Sequence, residues 1–231
     1  MSVVADAPVK TPFDPDGRLH FDANTHAYWL DQQQPRMPLL SVTQALQEGL
    51  AGTMGEEHWT EEARTRGSYI HQAILYHAEG DLAEDTLHES IAPYFQAYLQ
   101  FLEDERPEIL FVEQRVFDEP LGYAGTFDLL VKLRGRNAWT QHVGQRMEVL
   151  DLIDVKTGGL PWWVRLQLAA YKRRVHVAIK NVVVRPWALQ LQKRGVYRLE
   201  PTFTFPGLRS ADAERDFLSV LRTAQLKRFQ C

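Results

Sequence analysis

The sequence predicts an α/β (α+β) domain in which helices flank a mixed central sheet, with a small hairpin and a helical elaboration ahead of it. Three observations lead there. Apolar residues recur at helical spacing up to about residue 105; from there to about 206 short β-rich runs take over, broken by one helical stretch. Hydrophobic residues make up 45% and charged residues 24% of the 231, the values of a chain with a sizeable core and the length of one large domain. Repeats and low-complexity tracts are absent from the sequence, which argues against disordered, collagen-like and coiled-coil classes.

Taken in order, residues 1–15 are polar and proline-containing and read as a flexible arm; residues 16–231 read as a single domain. Leu19–Leu30 alternates in part, with Asn24 near a turn, and predicts a hairpin. Ser41-Val-Thr-Gln44 has capping-box spacing, so a helix should start there and stop near Gly49, before a loop at Gly52 and Gly55. Glu61–Glu79 reads as a helix. Thr86-Leu-His-Glu89 has the same box spacing and predicts a helix to about Glu105, ended by Pro107. The helical elaboration thus covers about 41–105.

Strands are expected at Ile109–Phe117, Gly122–Leu133 and Val149–Lys156, with Arg134–Arg146 as a polar connection. A helix from Pro161 to about His176 follows, with the proline near its first turn. Strands at Val182–Leu191 and Val196–Phe205 are separated by a turn at Lys193-Arg194-Gly195, completing a core of about 106–206. An amphipathic helix, 210–229, closes the chain.

The net charge of −4 conceals a division. Residues 1–128 carry 23 acidic and 7 basic side chains, residues 129–231 carry 7 and 19. A basic second half suits a polyanionic partner, and equally suits neutralisation of one half by the other within the fold. The single cysteine, Cys231, excludes an internal disulfide and a four-cysteine cluster and fits a cytoplasmic protein. No secretory leader and no membrane-length apolar run is apparent.

Chemistry concentrates in the second half. In Leu150-Asp-Leu-Ile-Asp-Val-Lys156, strand periodicity puts Asp154 and Lys156 on one face and Ile153 and Val155 on the other. Asp128, in Gly125-Thr-Phe-Asp128, stands at the edge of an apolar run. If these two strands are antiparallel neighbours, Asp128 and Asp154 converge near Lys156. Two carboxylates and a lysine suit a hard divalent cation that polarises a phosphoryl group. Gln167 and Tyr171 share a helix face. Taken singly, each is an ordinary residue: Asp-x-Lys is usually a surface pair, His71 a packed or surface histidine, Glu113 a solvent-facing strand residue, and Gln167-x-x-x-Tyr171 a helix edge.

The ordered set of His71, Glu113, Gly125-x-x-Asp128, Asp154-x-Lys156 and Gln167-x-x-x-Tyr171 resembles the PD-(D/E)XK nuclease superfamily. Within it, the set is similar to the RecB-like exonuclease branch of phage and stand-alone bacterial proteins. Asn24-Thr-His-Ala-Tyr28, Ser41-Val-Thr43 and the strand pair around 188–199 are similar too, so the likeness covers about residues 20–206. The resemblance implies a restriction-endonuclease-like core and a Mg2+-dependent deoxyribonuclease, with Mn2+ as a substitute. The expected activity is that of an exonuclease of recombination, replication or repair. It implies metal binding by His71, Asp128, Asp154 and the Val155 carbonyl, catalysis by Lys156, and substrate positioning by Gln167 and Tyr171, with Glu113 as a further strand acid.

Iron–sulfur relatives use four cysteines, which this chain lacks, and no nucleotide-binding G-x-x-x-x-G-K-[ST] loop occurs, so neither a cluster nor ATP is expected. The expected partner is DNA with a free end or a single strand, with a recombination or replication protein as a possible second partner and no membrane. Trp162 and Trp163 are candidates for stacking on bases, and Lys172, Arg173 and Arg174 for phosphate contacts; core packing and a solvated helix face are the plainer alternatives. A structure-specific endonuclease of the same fold and a catalytically idle nucleic-acid-binding module are the rival functions.

Overall fold

Runs of β-branched and large apolar residues bounded by turns become strands, and the computed structural model joins seven of them into one mixed sheet. Described are residues 10–23, 25–31, 38–53, 60–134, 139–142, 145–202 and 210–228. The hairpin is β1 (Leu19–Asp22) against β2 (Ala27–Leu30), antiparallel; Asn24, expected near its turn, lies outside the described residues. β3 (Leu40–Ser41) leads into α1 (Val42–Gly49). Ser41 Oγ accepts from Gln44 N–H and the Gln44 side chain accepts from Ser41 N–H, the expected reciprocal cap.

α2 (Glu61–Glu79) has the expected bounds; Thr60 caps it and Gly80, in the left-handed region, ends it. α3 (Ala92–Glu105) starts later than expected. Thr86 does not cap a helix: its hydroxyl donates to the Ala83 carbonyl within a short 3₁₀ turn, and Pro93 sits in the first turn of α3. Proline is preorganised for that place and cannot donate further inside, so it sets the start.

β4 (Glu108–Asp118) and β5 (Tyr123–Lys132) pair antiparallel. The stretch expected as a polar connection contains β6 (Trp139–His142), which folds back on β7 (Gln145–Lys156). α4 (Val164–Ala178) starts three residues after Pro161. β8 (Val182–Leu191) and β9 (Tyr197–Pro201) follow, then α5 (Ser210–Arg228). α4 is the crossover that lets β7 and β8 run parallel.

The sheet runs β4-β5-β7-β8-β9, with β3 on β5 and β6 on β7. Helices cover both of its faces. α1, α4 and α5 bury Leu46, Leu168 and Phe217 with Leu130 and Leu152. α2 and α3 bury Ile70, Ile74, Phe95 and Tyr98 with Leu129, Ile153 and Val155. The helices before residue 105 are therefore divided between the two faces of the sheet, α1 on one and α2 with α3 on the other.

Strand periodicity also separates two acids of β7. Asp151 faces the α2–α3 layer and is fully buried. Arg185 grips it through Nε and Nη2 at 2.7 and 2.9 Å, Trp187 Nε1 donates at 2.7 Å and Leu133 N–H at 3.1 Å. Asp151 is a structural acid with its acceptor capacity filled. Asp154, three residues on, faces the other way.

Candidate active site

The β5–β7 ladder stops at Leu129↔Ile153. Continuing that register sets Asp128 opposite Asp154, as antiparallel neighbours require. Beyond the last rung the strands fork, and the Val155 N–H donates to Asp128 Oδ2 at 2.6 Å. Both acids are buried, at 6% and 1% exposure. Lys156 Nζ lies 2.5 Å from Asp154 Oδ2, so the two side chains share the face that strand spacing implied.

Two further groups enter from α2 and β4. His71 Nδ1 stands 2.8 Å from Glu113 Oε1 and 3.5 Å from Asp128 Oδ1. Glu113 is not the solvent-facing strand residue that its position suggests. It sits opposite Asp128 in the β4–β5 register and has φ +46°, a conformation costing roughly 1–3 kcal/mol for a non-glycine residue. His71, Glu113 and Asp128 each offer a ligand atom, all within 4.8 Å of one another.

The electrostatics are those of a site short of positive charge. Burial raises Asp154 to about 6 despite the ammonium of Lys156. Burial likewise raises Asp128, against the pull of His71. Burial opposes protonation of His71, but Asp128 and Glu113 outweigh it and lift the imidazole to about 9. The same balance holds Lys156 above its ordinary value, with Asp154 and Asp128 overcoming burial. Asp154 Oδ1 is buried without a donor among the described residues, and Oδ2 has only the ion pair. Three carboxylates, one of them with an orphaned buried oxygen, and one imidazole are a donor set that fits a hard divalent cation, with the Lys156 ammonium beside it. His71 Nδ1 faces both of its carboxylates, so a proton there and a metal ion compete for one place.

Gln167 and Tyr171 arrive from α4, both buried, and the Gln167 side chain hydrogen-bonds Tyr171. Burial holds the Tyr171 phenol well above its usual range, so it is a hydrogen-bond donor. Its ring fits because residue 125 is glycine: a Cβ there would lie 2.8 Å from Cε1 and 2.9 Å from Oη. Tyr28, from the hairpin, shares a hydrogen bond with Thr126 at 3.0 Å and braces the same strand. The close approach of Gly125 to Tyr171 and the Tyr28–Thr126 bond were not foreseen from sequence; a glycine inside an apolar strand run is the one local signal of the former.

The outer candidates divide. Trp162 is 41% exposed, with the Arg165 guanidinium 5.8 Å from its ring centroid, whereas Trp163 is 7% exposed and packs in the core. Lys172 is half-buried on α4, where burial lowers its pKa. Arg173 and Arg174 both reach the buried carboxylate of Asp118, at 3.2 and 3.3 Å, and Arg173 also holds Glu214 at 2.7 Å. Both arginines are thus engaged within the fold, Arg173 with its side chain still 36% exposed. Asp118 is buried and needs compensating charge, so the fold takes them up first.

No protein-family model matches the chain, and no curated protein matches it. Among solved structures, it is similar to a presumptive exonuclease from Eubacterium rectale, with a TM-score of 0.47 and 15% identity over 81% of each chain. Among the described residues, no helix is long and apolar enough to cross a membrane.

Proposed function

We propose that this chain is a metal-dependent deoxyribonuclease of the RecB-like PD-(D/E)XK type, an exonuclease of recombination, replication or repair. The observation that supports it most is the convergence of His71, Glu113, Asp128, Asp154 and Lys156 at the fork of β5 and β7, with a buried Asp154 oxygen left without a donor among the described residues. A binding module has no use for such a cluster, whose burial costs stability unless a cation compensates it.

His71, Asp128 and Asp154 would hold Mg2+ or Mn2+, with Glu113 beside His71 and the Val155 carbonyl as a further ligand. The ion, when bound, supplies Lewis acidity and neutralises charge on a phosphoryl oxygen. Lys156 holds the attacking water and stabilises the negative charge that develops as water adds to phosphorus and the sugar oxygen leaves with a proton. The Tyr171 hydroxyl and the Gln167 amide donate to non-bridging phosphate oxygens and fix their orientation. Glu113, held in a strained backbone conformation, orients His71.

Incubation of the purified chain with linear and covalently closed circular DNA tests this. Linear DNA is degraded with Mg2+ or Mn2+, Ca2+ supports binding with little turnover, and excess EDTA stops the reaction. Full activity in EDTA refutes the metal assignment. Cutting of closed circles as fast as linear DNA refutes the exonuclease and leaves a metal-dependent endonuclease.

A further inference from the structure

A cleft of about 430 Å³ opens between the first turns of α2, the start of α3 and the β8–β9 turn. That is within the range of sites for small ligands, about 300–1,000 Å³. Arg66 and Lys193 supply its positive charge, Tyr69 and Tyr94 its aromatic surface, and Glu61 and Glu62 line it as well. Tyr69 is 53% exposed, a large ring presented to solvent beside two cations, whereas Tyr94 is buried and has the Arg66 guanidinium 5.4 Å from its ring centroid.

Arg66 ties the cleft to the candidate active site. Its Nε donates to Thr157 Oγ1 at 3.3 Å, on the residue after Lys156. It also precedes His71 by five residues on α2, an axial rise of ~7.5 Å at 1.5 Å per residue.

We propose that this cleft holds one nucleotide of a single-stranded DNA end, its base stacked on Tyr69 and its phosphate between Arg66 and Lys193. The proposal rests on the nuclease reading above and adds the substrate form. Base stacking on an exposed aromatic ring beside cations tolerates any sequence, as an end-processing site requires. Stacking needs an unpaired base face, which a duplex does not offer, so the cleft selects a single strand; Glu61 and Glu62 line the same cleft, Glu62 3.9 Å from the Arg66 guanidinium, and a bound phosphate displaces that contact. Lys193 forms no ion pair among the described residues, so its charge is available to a ligand.

The test is a titration of a short fluorescein-labelled oligothymidylate with the full chain in Ca2+, followed by anisotropy, with Mg2+-dependent degradation measured separately. Tyr69→Ala should weaken binding by about 5- to 150-fold, the range for losing one stacked base. Lys193→Ala should lower the slope of log affinity against log salt by about 0.7, one phosphate of a single strand. Tyr76→Ala, on an exposed tyrosine two turns further along α2, should bind as wild type and should melt normally, as should Tyr69→Ala.

If wild type binds and degrades DNA while Tyr69→Ala and Lys193→Ala bind equally well, the cleft assignment is overturned and the nuclease stands. If binding depends on Tyr69 but no metal restores hydrolysis, the nuclease reading falls and the single-strand site stands. A duplex that competes as well as the single strand overturns the strand selectivity, and absence of any binding by wild type overturns both.

Discussion

Replacing Gly125 by alanine isolates the seat of Tyr171. Gly125 lies inside β5, paired with Val116, and its φ is not in the positive range, so alanine brings no backbone penalty. By strand propensity it would be worth roughly 0.5–1 kcal/mol in favour. The added methyl would lie 2.8 Å from Tyr171 Cε1, 2.9 Å from Oη and 3.3 Å from Cζ, where ordinary contact begins at 3.4 Å. Tyr171 is 3% exposed and has Phe127 6.5 Å away between ring centroids, so the ring cannot swing into solvent.

The overlap of about 0.6 Å must be taken up by moving α4 or β5, an overpacking cost of roughly 1–3 kcal/mol. At about 2–4 °C per kcal/mol for a chain of this size, the melting midpoint should fall by roughly 2–12 °C. A hydroxyl displaced by more than half an ångström from Gln167 should lower turnover by about 10- to 100-fold. Thermal melts and DNA degradation assays of Gly125→Ala, Tyr171→Ala and the double variant measure both effects. In the Tyr171→Ala background the alanine at 125 should cost nothing, a coupling of about 1–3 kcal/mol. Equal losses in both backgrounds, or an unchanged midpoint and rate, would refute this placement of the ring.

Lys156→Ala should lower turnover by about a hundredfold, a loss of ~3 kcal/mol in barrier, and should lower the melting midpoint in EDTA, because buried Asp154 loses its ion-pair partner; a near wild-type rate removes the lysine from the reaction. Asp151→Ala should destabilise by roughly 3–5 kcal/mol, because Arg185 and the Trp187 N–H lose their acceptor, and a change below 1 kcal/mol in urea unfolding (roughly, on the same scale) would show that the network carries no stability. In EDTA, stability should fall as pH rises. His71, raised from 6.5 to about 9, contributes fully below 6.5 and loses that contribution through 9. Asp154, raised from 3.8 to about 6, likewise loses its contribution as pH rises through 6. Metal displaces the same protons, so the gain in melting midpoint on adding Mg2+ should grow from pH 6 to 9; a gain that shrinks over that window contradicts the ligand assignment.

Much of the local structure was legible because its determinants lie within a turn of each other. The Ser41–Gln44 cap, the bounds of α2 and the run of β8 depend on neighbours a few residues apart. Thr86-Leu-His-Glu89 shows the limit: the box spacing is present, yet Pro93 sets the helix start and the threonine turns back to Ala83. β6 was missed because a four-residue strand in a polar stretch is defined by the partner it folds onto.

At the site, His71, Asp128, Asp154, Lys156, Gln167 and Tyr171 are each ordinary when taken singly, and only the resemblance of their ordered set to a nuclease superfamily nominates them. Residue types and spacing do not say which acid does what. Asp151 and Asp154 are three residues apart on one strand, and only the sheet shows one bound by Arg185 and Trp187 and the other beside Lys156 with a free oxygen. Glu113 joins His71 only because a positive φ, allowed by the β4–β5 register, turns it inward. That Arg173 and Arg174 pair with Asp118, 55 and 56 residues earlier and buried against them, is visible only in the fold. Short-range propensity and periodicity are properties of the chain itself, whereas the partner of a buried charge is chosen by strand register and helix packing, which bring together residues far apart in sequence.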